Sequence, residues 1–239
     1  MTLKGTRVLV IGGGSGIGLG IARGAAREGA KVLIASRDAK KTAAAAQTIG
    51  ATSTSIDVRD EGKVAEFFKS SGPFDHIAFT AGDWDGMVDR TLEDLDLAQA
   101  AQRMATRFWG AVSVAKHSAC KLPAGGSYTI TNGMLAHRPM KGLPTVTAVA
   151  CAVEGLARAL AVELAPVRVN CVCPGLIETE MWTRFPKGDR EALTATAKRQ
   201  LVSRPGRPDE AAEAYLTCMR NSFFTGQTIR IEGGNALAS

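Results

Sequence analysis

Val8-Leu9-Val10-Ile11 runs directly into Gly12, Gly13, Gly14, Ser15, Gly16, Ile17 and Gly18, and a helix-periodic segment opens behind them. A strand, a tight turn and a helix start in that order bring free backbone N–H groups and the positive end of the helix dipole to one point. That point is a binding place for a phosphate. Glycine suits the turn because a Cβ would block both the turn and the approach of a pyrophosphate. Gly12, Gly14, Ser15, Gly16, Ile17 and Gly18 are therefore expected to hold the pyrophosphate of a dinucleotide. Their spacing, Gly12-xxx-Gly16-x-Gly18, differs from the more familiar G-x-G-x-x-G.

Three further places carry chemistry of the same kind. Ser36-Arg37 follows a second apolar run. A carboxylate there would accept from a ribose 2′-OH, whereas an arginine pairs with a 2′-phosphate, so Ser36 and Arg37 point to NADP(H). A solvated surface arginine is the alternative. Asp57-Val58 suits an adenine edge, unless Asp57 only caps a local turn. Thr80-Ala81-Gly82 offers small side chains where a backbone passes close to a cofactor, or makes a simple turn. No spacing of ligating residues points to a metal. Cys120, Cys151, Cys171, Cys173 and Cys218 form no C-x-x-C pair and are read as buried free thiols in a reducing compartment.

The elements that must position these residues alternate strand and helix. Strands are expected at Arg7–Ile11, Lys31–Ala35, Thr52–Ile56, Phe74–Phe79, Ser127–Thr131, Val167–Val172 and Gln227–Ile231. Ile17, Ile21 and Ala25 mark the inner face of the first helix, and Asp38 caps the second. Further helices are expected at about 60–70, 91–121, 145–164 and 209–220, with 178–203 polar and irregular. This βαβ alternation with nearly continuous apolar strands means an α/β fold, a parallel sheet covered by helices on both faces. Ligands on such a sheet sit beyond the carboxyl ends of its strands.

A chain of 239 residues that is 45% hydrophobic can bury one sizeable core, so residues 1–239 are read as a single domain. No apolar run approaches the roughly 20 residues that cross a bilayer, and Met1–Gly5 leaves no room for a signal peptide before the first strand. A cytoplasmic protein without a membrane partner is expected. The net charge of +6 is scattered and aromatic residues make up only 5%, which argues against nucleic acid. An anionic cofactor or small-molecule substrate accounts for the sign.

Gly12-xxx-Gly16-x-Gly18, Asp57-Val58, Ala81-Gly82, Arg168-Val169-Asn170 and Pro174-Gly175-Leu176-Ile177-Glu178-Thr179 together resemble the succession of the short-chain dehydrogenase/reductase family. Thr225-Gly226-Gln227 and Glu232-Gly233-Gly234 extend the resemblance to the last strand. It implies a Rossmann-type doubly wound domain with a seven-stranded parallel sheet, a nicotinamide dinucleotide, and a homo-dimer or homo-tetramer. It also implies a structural Asn170, and Pro174, Gly175, Ile177 and Thr179 beside the nicotinamide. Ile11 stands where the family usually has a threonine.

The same resemblance locates a departure. The family works with an Asn, a Ser, a Tyr that protonates the substrate carbonyl, and a Lys that lowers the Tyr pKa. The corresponding positions here are Arg107, Gly133, Val146 and Ala150. Carbonyl reduction by that route is expected to be crippled, since a positioned general acid contributes about 10²–10⁴-fold. Hydride addition to a cationic iminium carbon needs no such acid. Arg107, as a fixed charge, could steady an oxyanion or bind an acidic substrate, or instead sit in a surface ion pair. His137 could move protons near neutral pH or be a solvated loop residue. Asp83, Trp84 and Asp85 could hold a cationic amine or instead form a solvated turn, and Thr145 and Thr147 could donate hydroxyls or simply start a helix. Residues 178–203, with Met181, Trp182 and Phe185, are expected to form the substrate lid. The alternatives are a silent NADP(H)-binding sensor or oligomer partner, and a non-redox enzyme on the same scaffold.

Overall fold

The computed structural model describes residues 2–82, 92–184 and 187–238. The strands are β1 (Arg7–Ile11), β2 (Lys31–Ser36), β3 (Thr52–Ser55), β4 (His76–Phe79), β5 (Ser127–Thr131), β6 (Arg168–Pro174) and β7 (Thr228–Ile231). The helices are α1 (Gly16–Arg27), α2 (Ala39–Thr48), α3 (Glu61–Ser70), α4 (Leu97–Met104), α5 (Gly110–Ser118), α6 (Pro144–Glu163), α7 (Lys187–Arg199) and α8 (Pro208–Arg220).

The seven strands form one sheet in the order β3-β2-β1-β4-β5-β6-β7, every pair parallel. The chain winds outward from β1 to β3 and then crosses back to β4, so the direction of winding reverses between β1 and β4. This is the Rossmann-type doubly wound arrangement, whose ligand crevice opens at that reversal. Ile11 pairs with both Ala35 and Phe79. That register brings Gly12, Ser36 and Thr80 to the same carboxyl edge of the sheet.

Both sheet faces are packed. On one, Leu9, Ile77, Phe79, Tyr128 and Val169 meet Phe68 of α3, Val114 of α5 and Val153 of α6. On the other, Val8, Val10, Ile34 and Val172 meet Ile21 of α1 and Tyr215 of α8. Asp38 caps α2, its carboxylate accepting from Lys41 N at 2.9 Å. Asp60 and Asp96 do the same for α3 and α4, each satisfying N–H groups that the helix start leaves open.

Four sequence expectations need correction. The segment 178–203 is not irregular, because it contains α7 and a 3-10 turn at Glu180–Arg184. Only Ala197 of α7 is buried, so the helix rests on good helix formers and on end charges that suit its dipole, not on an apolar period. The expected helix over 91–121 is divided: α4, a π-turn at Ala105–Trp109, α5 and a 3-10 turn at Ala119–Lys121; residue 91 lies outside the described residues. Cys120 and Cys151 are exposed, and Cys171, Cys173 and Cys218 are buried. Finally, α6 is 20 residues long with mean hydropathy 1.6, enough by length and composition alone to cross a bilayer. In the fold it lies on the sheet through Val149, Ala150, Val153 and Ala157.

His76, at the start of β4, is 7% exposed and its Nδ1 lies 2.9 Å from Ser127 Oγ. Burial, with the Arg168 charge adding to it, pushes the imidazole down to about 4. The unfolded chain takes up this proton near pH 6.5 and the folded chain only near 4, so stability falls as pH drops through that interval. The expected loss from this residue is about 3 kcal/mol between pH 7 and pH 4. Urea titrations of the protein and of His76→Gln across that range check it. An equally steep acid limb in the variant would overturn the assignment.

Candidate functional site

The glycine turn is where three backbones come closest. Gly12 has φ +90°, and a Cβ there would stand 2.5 Å from Thr80 Oγ1 and 2.8 Å from Ala81 N. At Gly18 a Cβ would run into the Gly12 carbonyl and the Thr80 hydroxyl. Gly14 faces Thr42 and Ser36, and Gly16, at φ +53°, lies against the Thr179 side chain. Ser15 caps α1 with extended backbone but makes no side-chain capping bond, and Ile17 begins the helix half-buried. The Gly16 N–H donates to Glu180 Oε2 at 3.0 Å. The turn therefore already engages an anionic oxygen, as expected of N–H groups at a helix start.

A second corner lies past β2 and β3. The Ser36 hydroxyl bonds the Thr42 hydroxyl, and Arg37 is exposed beside it. Asp57 accepts from Arg59 N at 3.1 Å and from its guanidinium at 3.0 and 2.7 Å. These bonds to Arg59 hold the Asp57 carboxyl down at about 2, and the charge of Arg37 contributes. Asp57 thus does make the local turn weighed against an adenine contact. Arg59 adds a second cation to the corner, a residue sequence reasoning missed although it stands two positions after Asp57. Val58 is buried, and a Cβ on Gly110 would come within 2.7 Å of it.

The third part lies past β4, β5 and β6. Arg107 sits in the π-turn, an irregularity frequent at functional sites. Its guanidinium turns inward: Nη1 donates to Asn132 O at 3.4 Å, and a Cβ on Gly82 would stand 2.8 Å from Nε. Gly82 therefore has the small profile the guanidinium requires. Asn132 is buried and donates from Nδ2 to Glu154 Oε1 at 2.5 Å. His137 Nε2 lies 2.7 Å from the same oxygen. A continuous polar chain, Arg107–Asn132–Glu154–His137, thus runs along this edge, and His137 is not a free loop residue. Cys173 joins it from β6 through a hydrogen bond with the Asn132 side chain, and its Sγ also lies 3.6 Å from Met134 Sδ. Burial and the nearby Glu154 push that thiol up to about 12. Asn132, Glu154 and Cys173 were not singled out from sequence. The available signal was Glu154 itself, a carboxylate set among apolar residues of α6.

Around this chain, a Cβ at Gly133 would meet nothing within 4 Å, Val146 is half-buried and Ala150 buried. Thr145 is half-buried at the start of α6, and the Thr147 hydroxyl is buried with no partner among the described residues. Both tyrosines are committed elsewhere. Tyr128 donates to Ala111 O at 3.0 Å, and Tyr215 OH lies 2.7 Å from Thr131 Oγ1. Both are fully buried, which raises both phenols well above their ordinary range.

From Pro174, the last residue of β6, the chain doubles back. Gly175 N donates to Ile231 O at 2.9 Å, and Ile177 is buried and bridged to Gly206. Thr179 then reaches Gly16. Trp182 is buried and Met181 half-buried. Asp83, Trp84, Asp85 and Phe185 lie outside the described residues. Asn170 bonds with both ends of its amide, to Phe224 O at 2.9 Å and from Gln227 N at 3.1 Å, and so ties β6 to the segment before β7.

The collision at Gly12 is separable from its positive φ. Gly125 also has a positive φ, with nothing within 4 Å of a Cβ. Gly12→Ala should cost about 1–3 kcal/mol more than Gly125→Ala in urea unfolding. Equal losses would mean that the turn relaxes without difficulty.

Three comparisons bear on this site. The profile of a family described as enoyl-(acyl carrier protein) reductase matches residues 12–236. A short-chain dehydrogenase/reductase of Stachybotrys chlorohalonatus is 30% identical, over 98% of each chain. The solved structure of the MalC reductase/Diels-Alderase of Malbranchea aurantiaca is 31% identical over 98% of each chain, with a TM-score of 0.90. The NADPH-bound structure of a short-chain oxidoreductase of Pseudomonas aeruginosa, described as containing an atypical catalytic center, is 28% identical over 96% of each chain, with a TM-score of 0.86.

Proposed function

This chain belongs to the short-chain dehydrogenase/reductase family, and from that premise we propose that it is an NADP(H)-dependent oxidoreductase with a non-standard reaction pocket. The reading assigns Gly12, Gly14, Ser15, Gly16, Ile17 and Gly18 to the pyrophosphate. Ser36 and Arg37, seconded by Arg59, hold the 2′-phosphate, and Asp57 and Val58 lie at the adenine. Ala81, Gly82, Pro174, Gly175, Ile177 and Thr179 line the nicotinamide half. The fit rests on the turn that only glycine fills and on the two arginines at its far corner. Bound there, the cofactor supplies a hydride.

One observation carries the altered chemistry. The positions that correspond to the family's Asn, Ser, Tyr and Lys hold Arg107, Gly133, Val146 and Ala150, and neither tyrosine of the chain has a hydroxyl to spare. A substrate whose reacting carbon is already electron-poor, an imine or iminium above all, needs no phenolic acid. Arg107 supplies a fixed positive charge at the pocket wall, suited to an acidic group on the substrate or to developing negative charge on oxygen. His137, oriented by its contact with Glu154, presents an imidazole to the same pocket. Residues 1–239 act as one cytoplasmic domain with 178–203 as its lid. Exposed Leu97, Trp109 and Val162 favour a homo-dimer or homo-tetramer. A second reading, ring closure without net redox change, draws on the likeness to a reductase/Diels-Alderase.

Arg37→Asp should weaken NADPH binding by roughly 10- to 100-fold, the worth of a charge-assisted contact, and leave NADH nearly unchanged, as followed by cofactor fluorescence. Equal loss for both would remove the 2′-phosphate assignment.

In turnover, NADPH oxidation is expected with cyclic imines and to be about 10²–10⁴-fold slower with simple ketones. Arg107→Asn, Gly133→Ser, Val146→Tyr and Ala150→Lys combined should raise ketone reduction. A folded, NADPH-binding quadruple variant with no ketone activity would overturn the account of the missing groups. Tight binding with no turnover of any substrate would make the protein a sensor.

A further inference from the structure

His137 comes from the loop after β5, Glu154 from the middle of α6, and Cys173 from the penultimate residue of β6. Each offers one ligand atom, and those atoms all lie within 4.8 Å of one another. Three packed elements therefore present nitrogen, oxygen and sulfur to one point. A tetrahedral zinc ion sets such donors roughly 3.3–3.8 Å apart. The outer limit of the triad admits that separation, and the His137–Glu154 pair, hydrogen-bonded at 2.7 Å, opens by about 0.6 Å to take the ion.

The surroundings point independently to a ligand. Asn132 is 1% exposed and donates to the Glu154 carboxylate, the kind of outer hydrogen bond that fixes a ligating carboxylate. Its side chain also hydrogen-bonds the Cys173 thiol, and its Oδ1 is buried with no partner among the described residues. Access is asymmetric: the side chains of His137 and Glu154 are 27% and 13% exposed, whereas Cys173 is sealed behind them. An ion would arrive past His137 and Glu154 and meet the sulfur last.

We propose that His137, Glu154 and Cys173 form a binding site for a borderline transition-metal cation, Zn2+ first, with its fourth position open toward the reaction pocket. The donor set argues for that class: thiolate and imidazole select zinc or its first-row neighbours, whereas Mg2+ and Ca2+ require oxygen ligands. Binding replaces the Cys173 S–H bond by a metal–sulfur bond and releases that proton to solvent, with no change of oxidation state. The inference does not depend on the hydride-transfer reading, because its test reads the metal.

Metal-free protein is titrated with Co2+, followed by absorption, and with Zn2+ in competition. Roughly one equivalent should bind, with a near-ultraviolet thiolate-to-cobalt band and visible bands of tetrahedral intensity. Cys173→Ser should abolish the thiolate band, His137→Gln should lower the affinity at least about tenfold, and Asn132→Ala roughly 10- to 100-fold. Cys120→Ser, an exposed thiol elsewhere, should leave the spectrum as it was. Absence of stoichiometric uptake overturns the proposal, as does a thiolate band that survives Cys173→Ser. Should Cys173→Ser fail to fold, an affinity unmoved by His137→Gln, on the half-exposed loop, overturns it equally.

Discussion

A Cβ on Gly12 or Gly18 would collide with Thr80, and much of the rest of the structure follows from that close approach. Because β1 and β4 pair in register up to Ile11 and Phe79, the chain leaving β1 must turn against the chain leaving β4. There is no space between them for a Cβ. That proximity forces the turn into φ values open to glycine and starts α1 at once with its N–H groups facing outward. The crevice at the winding reversal is thus a consequence of strand order and of one tight contact. Glu180 donates nothing to the turn but accepts from Gly16, which ties the segment after β6 to the same anion-binding point.

Electrostatics divides the carboxyl edge into two halves. At the far end of the glycine turn, Asp57 stays ionised because Arg59 grips it, and Arg37 stands beside the pair. The balance of charge in that corner remains positive. At the other half a guanidinium, an amide, a carboxylate and an imidazole form one chain, with a thiol beside it. A carboxylate as deeply placed as Glu154 is costly without partners, and here two donors share one of its oxygens. The charged and polar groups of this half are those of the chain that begins at Arg107.

Much of this was legible from residue types. Strand runs, the glycine cluster and the small residues after β4 each depend on neighbours within a few positions, and each was placed within a few residues of its observed bounds. Asp38 was a visible cap for the same reason. Errors arose where local signals fade. α7 has almost no buried face and so no apolar period to read. The π-turn interrupts a helical pattern that the sequence carries without a break. The exposure of Cys120 and Cys151 depends on helix faces that composition does not reveal.

The sequence by itself determined the parallel α/β architecture, the glycine turn and the arginine after β2, because these are written in local patterns of glycine, apolar runs and charge. Only the tertiary structure decided which way Arg107 points, that Arg59 clamps Asp57, and that both phenols are spent in the core. It alone brought His137, Glu154 and Cys173 together from a loop, a helix and a strand. Such meetings depend on strand order and on how α6 lies across the sheet, which are set by the packing of the whole core and not by the residues that meet.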